Sequence, residues 1–81
     1  MNRKNIDAEK TSVHMKKVMD EKGVSTTDVA NSLGVSAEAV YKWINSKNTV
    51  IPDIDHLVGL SNLLDVSIDD LIVRKHDNRR N

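Results

Sequence analysis

Apolar residues recur at helical spacing along this chain and predict a set of short helices. The clearest stretch spans residues 26–45, where apolar side chains within each predicted helix fall three or four positions apart. They are Val29, Ala30 and Leu33 in the first helix and Val40 and Trp43 in the second, with Val35 in the turn between them. This spacing gives each of two helices one buried stripe. The three-residue turn 34–36 begins with Gly34, which takes positive φ without steric cost. Residues 26–45 therefore predict a helix-turn-helix, whose second helix spans 37–46.

Capping residues mark the starts of all the predicted helices. The predicted N-caps are Asp7 or Thr11, then Ser25, Ser36, Asp53 and Ser67. An aspartate stands three residues after Ser25 and after Ser67, which predicts a capping box at both places. The first helix runs to about Lys22 and the fourth to about Leu64. The predicted fold is all-α, a compact bundle of five short helices.

The two ends of the chain are polar and predict less order. We expect residues 1–6 to form a flexible N-terminal arm, residues 7–73 to form the folded domain, and residues 74–81 to form a disordered basic tail. The sequence has no cysteine, which fits a reducing cytosol. It has neither a secretory leader nor an apolar run of about 20 residues, so we expect a cytoplasmic protein.

Charge is zero overall but is distributed unevenly. Residues 1–50 hold eight Lys and Arg against six Asp and Glu. Residues 51–73 hold five Asp and no Lys or Arg, whereas residues 74–81 hold four basic residues and one acid. An acidic block can therefore point away from DNA while basic residues face it.

Catalytic and metal-binding patterns are not found in the sequence. No nucleophile–base pair or phosphate-binding loop stands out, and the three histidines are scattered over three segments. The paired aspartates lie at predicted helix starts, where acids stabilise the helix dipole. We therefore expect no enzyme activity, no cofactor and no metal.

Residues 11–73 resemble the phage-repressor (Cro/CI) type of helix-turn-helix domain, also called the XRE family. The matching residues stand in family order and spacing: 23–25, Val29-Ala30, 33–36, Val40, Trp43, Pro52, Leu57 and 64–71. The resemblance implies a lambda-repressor-like fold. It also implies a bacterial or phage transcription regulator, which usually binds its operator as a dimer.

The resemblance also indicates which residues meet double-stranded DNA. The implied base-contact candidates are Ser36, Ala37, Glu38, Tyr41, Lys42 and Asn45. The phosphate-contact candidates are Thr26, Thr27, Lys47, Asn48 and Thr49. A homodimer would place two reading helices about 34 Å apart on a palindromic site. Val58, Leu63 and Val73 fall outside the predicted inward stripes and are the dimer-interface candidates.

Two departures from the family pattern change the expectations. Thr26 stands where the family often has Gln, so it can donate only one hydroxyl hydrogen bond. Met19 and Ile44 are apolar where related domains often carry Arg and Glu as a largely buried ion pair. Replacing both partners of such a pair by apolar groups is tolerated far better than losing one. We therefore predict that Met19 and Ile44 are buried and in contact.

The expected function is sequence-specific binding of double-stranded DNA by a transcription regulator that acts as a repressor. Helix 37–46 would enter the major groove while helix 26–33 lies across the backbone. Two alternatives share the fold. One is a DNA-binding antitoxin that also masks a toxin. The other is a protein-interaction module that has lost DNA binding, for which Thr26, Glu38 and the zero net charge argue.

Overall fold

The computed structural model describes residues 5–47 and 49–75, and in these ranges four helices pack around one core. The helices are α1 (Ala8–Lys22), α2 (Thr26–Leu33), α3 (Ala37–Ile44) and α4 (Ile54–Leu64). In the described part of the chain, no helix is long and apolar enough to cross a membrane. Residues 1–4 of the predicted arm, residues 76–81 of the predicted tail, and the phosphate candidate Asn48 lie outside the described residues.

Local capping explains where the helices begin and turn. Asp7, rather than Thr11, is the N-cap of α1, and its side chain accepts a hydrogen bond from Lys10 N. The capping box at Ser25 and Asp28 is complete, since each side chain accepts from the other residue's backbone N–H. Gly23 and Gly34 take left-handed φ values of 68° and 70°, as the two turns require.

The third helix ends at Ile44, two residues before the predicted end at 46. Asn45 has extended backbone angles (φ −95°, ψ 110°) and closes the helix. The carbonyl oxygen of Lys42, which a longer helix would pair with residue 46, instead accepts from Val50 N at 3.0 Å. The loop therefore takes over the hydrogen bond that would have extended the helix.

The predicted fifth helix is a single turn, so the count of five helices is wrong by one for the described residues. Ser67 caps this turn as predicted, with Oγ accepting from Asp70 N at 3.2 Å. Its backbone hydrogen bonds join residues three positions apart, as in a 3₁₀ turn: Asp70 N donates to Ser67 O and Leu71 N donates to Ile68 O. Such bonds close a tight turn and do not propagate an α-helix.

One cluster of apolar side chains holds the helices together. Its buried members are Met15, Val18, Met19, Val29, Ala30, Val40, Trp43, Leu60, Leu64 and Leu71. Met19 is buried as predicted, whereas Ile44 is only half-buried and packs against the same cluster. The prediction that both residues are buried is therefore wrong for Ile44, and the contact between Met19 and Ile44 stays a prediction.

The two ends of the described chain pair with each other. Asp7 N donates to Val73 O and Lys75 N donates to Asn5 O, both at 2.8 Å, around an antiparallel bridge between Ile6 and Arg74. Residues 5 and 6, predicted as part of the arm, and residues 74 and 75, predicted as part of the tail, thus lie together against the domain. Helical periodicity carries no signal for this contact because the paired residues are far apart in sequence.

Candidate nucleic-acid interface

The inward face of α3 fixes its position in the domain. Val40 is fully buried and Trp43 is 5% exposed, so the third helix is anchored at two successive turns. The ring of Trp43 lies 5.4 Å from that of His56, centroid to centroid, and this contact ties α3 to α4. Val35, in the turn between α2 and α3, packs against the same core. This anchoring orients the opposite face of α3 towards solvent.

All six base-contact candidates lie on that open side. Ser36, Ala37, Glu38, Tyr41, Lys42 and Asn45 are each exposed. Tyr41 keeps 58% of its surface accessible although it is a large ring. The structure therefore brings together, on one side of one helix, the side chains for which the family resemblance implies base contact.

Hydrogen bonds within the domain limit what some of these side chains can offer. Ser36 Oγ accepts from Ala39 N at 3.1 Å and so caps the helix. Asn45 Oδ1 accepts from Lys47 N at 3.0 Å, which turns the amide nitrogen of Asn45 outward as a donor. The Lys42 side chain makes no hydrogen bond or ion pair within residues 5–47 and 49–75. Lys42 and Asn45 thus present adjacent hydrogen-bond donors.

The loop after α3 folds back onto the end of the helix. Thr49 is half-buried, and its hydroxyl donates to Asn45 O at 2.5 Å. Because a threonine hydroxyl has one proton, a phosphate contact from Thr49 has to come from its backbone N–H. Lys47, by contrast, is exposed at the tip of the loop. Periodicity could not reveal these bonds, although Asn45 two residues before Lys47 is a turn-forming pattern.

The start of α2 carries the other phosphate-contact candidates. Thr27 is exposed and Thr26 is half-buried at the first turn of the helix. The neighbouring Asp28 carboxylate accepts from Ser25 N at 2.9 Å. This backbone hydrogen bond, followed by the one to the Ser25 side chain, lowers the pKa of Asp28 below its ordinary value. Helix N–H groups and threonine hydroxyls therefore lie here beside a fixed negative charge.

The dimer-interface candidates belong to two segments of the chain. Val58, 43% exposed, and Leu63, half-buried, line the same groove at the side of α4. Val73 is half-buried and belongs to the segment that pairs with the N-terminal residues. Dimerisation through these residues stays a prediction.

The anchored, outward-facing α3 after a glycine turn defines a helix-turn-helix DNA-binding domain. The chain belongs to the Cro/C1-type HTH DNA-binding domain family, whose model matches residues 14–77. No curated protein matches this chain.

Among solved structures, the chain is similar to one described as the crystal structure of transcriptional regulator from Listeria innocua. The TM-score is 0.65 and the sequence identity is 24%. The similarity covers 85% of this chain and 64% of that chain, so it spans less than two thirds of the Listeria protein. At this identity the similarity shows the shared fold.

Proposed function

We propose that this protein is a sequence-specific regulator of transcription that represses by occupying a double-stranded operator. The observation that carries the proposal is the division of α3 into two faces. Val40 and Trp43 bury one face, while the six base-contact candidates are exposed on the other. Repression is the role we assign because occupancy of a site needs no contact beyond this interface. Such a protein acts at the nucleoid in the cytoplasm.

The exposed donors of α3 fit the acceptors of the major groove. Lys42 can donate to guanine O6 and N7, and the Asn45 amide nitrogen can donate to a purine N7 or a phosphate. The Tyr41 ring fits the methyl group of thymine. Glu38 can accept from cytosine N4, a pairing that also makes the face unfavourable for other bases at that position. These four side chains are the ones to which we assign base specificity.

Phosphate contacts at both ends of the motif set the register of α3. Lys47 and the backbone N–H of Thr49 serve one end of the helix, and Thr26 and Thr27 serve the start of α2. Contacts of this kind position a domain without reading sequence. Because few basic residues surround the interface, we expect modest non-specific affinity and a larger share of binding energy from base contacts.

Selection of DNA fragments by the purified protein tests the proposal. A random duplex pool is passed over the protein, and a retained duplex is then titrated at low and at raised salt beside a scrambled duplex. We expect one enriched motif, tighter binding than to the scrambled duplex, and a loss of about 0.9 log units of affinity per log unit of salt for each phosphate neutralised. A palindromic motif would indicate two copies on the site.

The same experiment separates DNA binding from the interaction-module alternative. Absence of both an enriched motif and any binding at low salt would contradict the proposed function. Binding that depends on salt but not on sequence would contradict the operator role and leave a non-specific DNA-binding domain.

A further inference from the structure

An open groove with a mixed polar and apolar lining runs between the end of α2 and the side of α4. It has a volume of about 550 Å³, and Leu33, Val58 and Leu63 supply its apolar lining. Ile54, one helical turn before Val58, is 68% exposed and extends the apolar strip along α4. We call this surface the acidic groove for the charges described next. It shares no residue with the candidate DNA-contacting set.

The two helices that form the groove, together with their capping residues, carry aspartates and neither Lys nor Arg. Residues 25–34 contain Asp28, and residues 53–65 contain Asp53, Asp55 and Asp65, with no Lys or Arg in either range. Asp55 itself lines the groove. His56 also lines it, but its Nδ1 is engaged 2.9 Å from Asp53 Oδ1. Asp55 is therefore the carboxylate that lines the acidic groove beside Leu33, Val58 and Leu63, and no Lys or Arg of α2 or α4 offsets it.

This combination selects among possible occupants by charge and by shape. In a symmetric dimer the same face meets itself, so carboxylates would approach carboxylates without a cation from either helix. The chain's own residues 76–81 carry arginines but no apolar side chain to fill the strip. Nucleic acid is repelled by the carboxylates. A segment that combines apolar side chains with Lys or Arg complements both the aliphatic side chains of the groove and its carboxylate.

We propose that the acidic groove docks a basic amphipathic helix of a partner protein. The apolar face of the partner helix lies on Leu33, Val58 and Leu63, as in other helix-in-groove complexes. Its lysine or arginine side chains lie opposite Asp55. The groove and the outward face of α3 use different residues, so the partner and DNA do not compete for the same side chains.

A designed peptide provides the probe. It consists of leucine and lysine only, in an order that gives an apolar and a basic helical face, and a second peptide has glutamate in place of lysine. Titration is followed by amide chemical shifts of the full chain at low and at raised salt. We expect the lysine peptide to bind and to shift the amide signals of Val58, Gly59 and Leu63 most. Its affinity should fall as salt is raised, and the glutamate peptide should not bind.

Matched variants test whether the peptide binds at the acidic groove. Val58→Ser is expected to weaken the lysine peptide by about fivefold or more, because it removes an apolar anchor. Val13→Ser is the control, since Val13 is a 57% exposed valine on α1 outside this groove. Asp55→Lys is expected to weaken the peptide through charge alone. DNA affinity measured on the same variants should stay unchanged, so this test stands apart from that of the proposed function.

Three results would overturn the proposal. The first is the absence of shifts at the groove, and the second is equal affinity for the Val58→Ser and Val13→Ser variants. The third is a dimer in sedimentation that Val58→Ser dissociates, which would make a second copy of the chain the occupant.

Discussion

Asn45 serves the fold and the interface with different atoms of one amide. Its Oδ1 accepts from Lys47 N, and this bond leaves the nitrogen as the outward group. Asn45→Asp keeps an oxygen for Lys47 N but replaces the outward donor by a negatively charged acceptor. We expect a small loss of thermal stability, because the new negative charge lies at the C-terminal end of α3, and a loss of roughly 1–3 kcal/mol in operator binding, measured by titration of the selected duplex.

The control for this change is Asn62→Asp, which introduces the same charge at an exposed asparagine of α4. Equal losses for both variants would mean that Asn45 acts through net charge and makes no direct contact with DNA.

Lys42 is the residue best placed to read a single base pair. Its side chain is exposed on α3 beside Asn45. Lys42→Ala is expected to cost about 1–3 kcal/mol of binding and to relax the preference at one position of the site. Repeating the fragment selection with the variant measures both effects. Lys16→Ala is the control, because Lys16 pairs with Asp20 within α1 at 3.1 Å. A uniform loss over all sequences would assign Lys42 to the DNA backbone.

Helix starts could be predicted from sequence because capping is local. Ser25, Ser36 and Asp53 each cap the helix that follows, with acceptor and donor three residues apart. The ends were less predictable. The end of α3 depends on Val50, which reaches back eight residues to Lys42 O, and no spacing rule encodes that bond. The turn at 67–71 has a helix cap but too few residues before the chain changes direction.

The capping box of α2 should make folding stability depend on pH in acid. The hydrogen bonds from Ser25 hold the pKa of Asp28 below its ordinary value in the folded state. The stabilisation is therefore present above the unfolded pKa, ~3.9 for an aspartate, and is lost as pH falls through the lower folded pKa. Denaturant unfolding of the wild type and of Asp28→Asn should differ most near neutral pH and converge in strong acid.

Glu38→Gln is the control for this titration, since the Glu38 carboxylate accepts no backbone N–H within the described residues. A constant difference between the wild type and Asp28→Asn at every pH would show that the Asp28 charge does not contribute through the box.

The outward face of α3 was also predictable, because helical period and two core residues, Val40 and Trp43, define its orientation. The bonding of individual side chains on that face was not. A threonine hydroxyl can bind phosphate, yet the hydroxyl of Thr49 donates to Asn45 O and so closes the loop onto the end of α3. The acidic groove likewise escaped prediction, because it arises only when α2 and α4 are packed side by side.

Thr11 joins the two ends of the domain, a role that its position as a possible helix cap did not suggest. It is fully buried, and its hydroxyl accepts from Val73 N at 2.9 Å. Thr11→Val fills the same volume but leaves the part-buried Val73 N–H without its partner, which we expect to cost about 1 kcal/mol or more of unfolding free energy. Thr11→Ser retains the hydroxyl and is the control.

Hydrogen exchange gives this prediction a local measurement. The amides of Asp7, Val73 and Lys75 should lose protection in Thr11→Val before those of the core helices do. A loss of stability with unchanged protection at these three amides would locate the effect in core packing and not in the pairing of the ends.

The contact between Asn5 and Lys75 has a consequence for anything joined to this domain. Residues 5 and 75 lie side by side, so two segments joined at these positions start from neighbouring points on the surface. A short linker can therefore splice the domain into a surface loop of another protein without stretching its host. A tension applied between the two termini would unzip residues 5–7 from 73–75 before it loads α1 or α4.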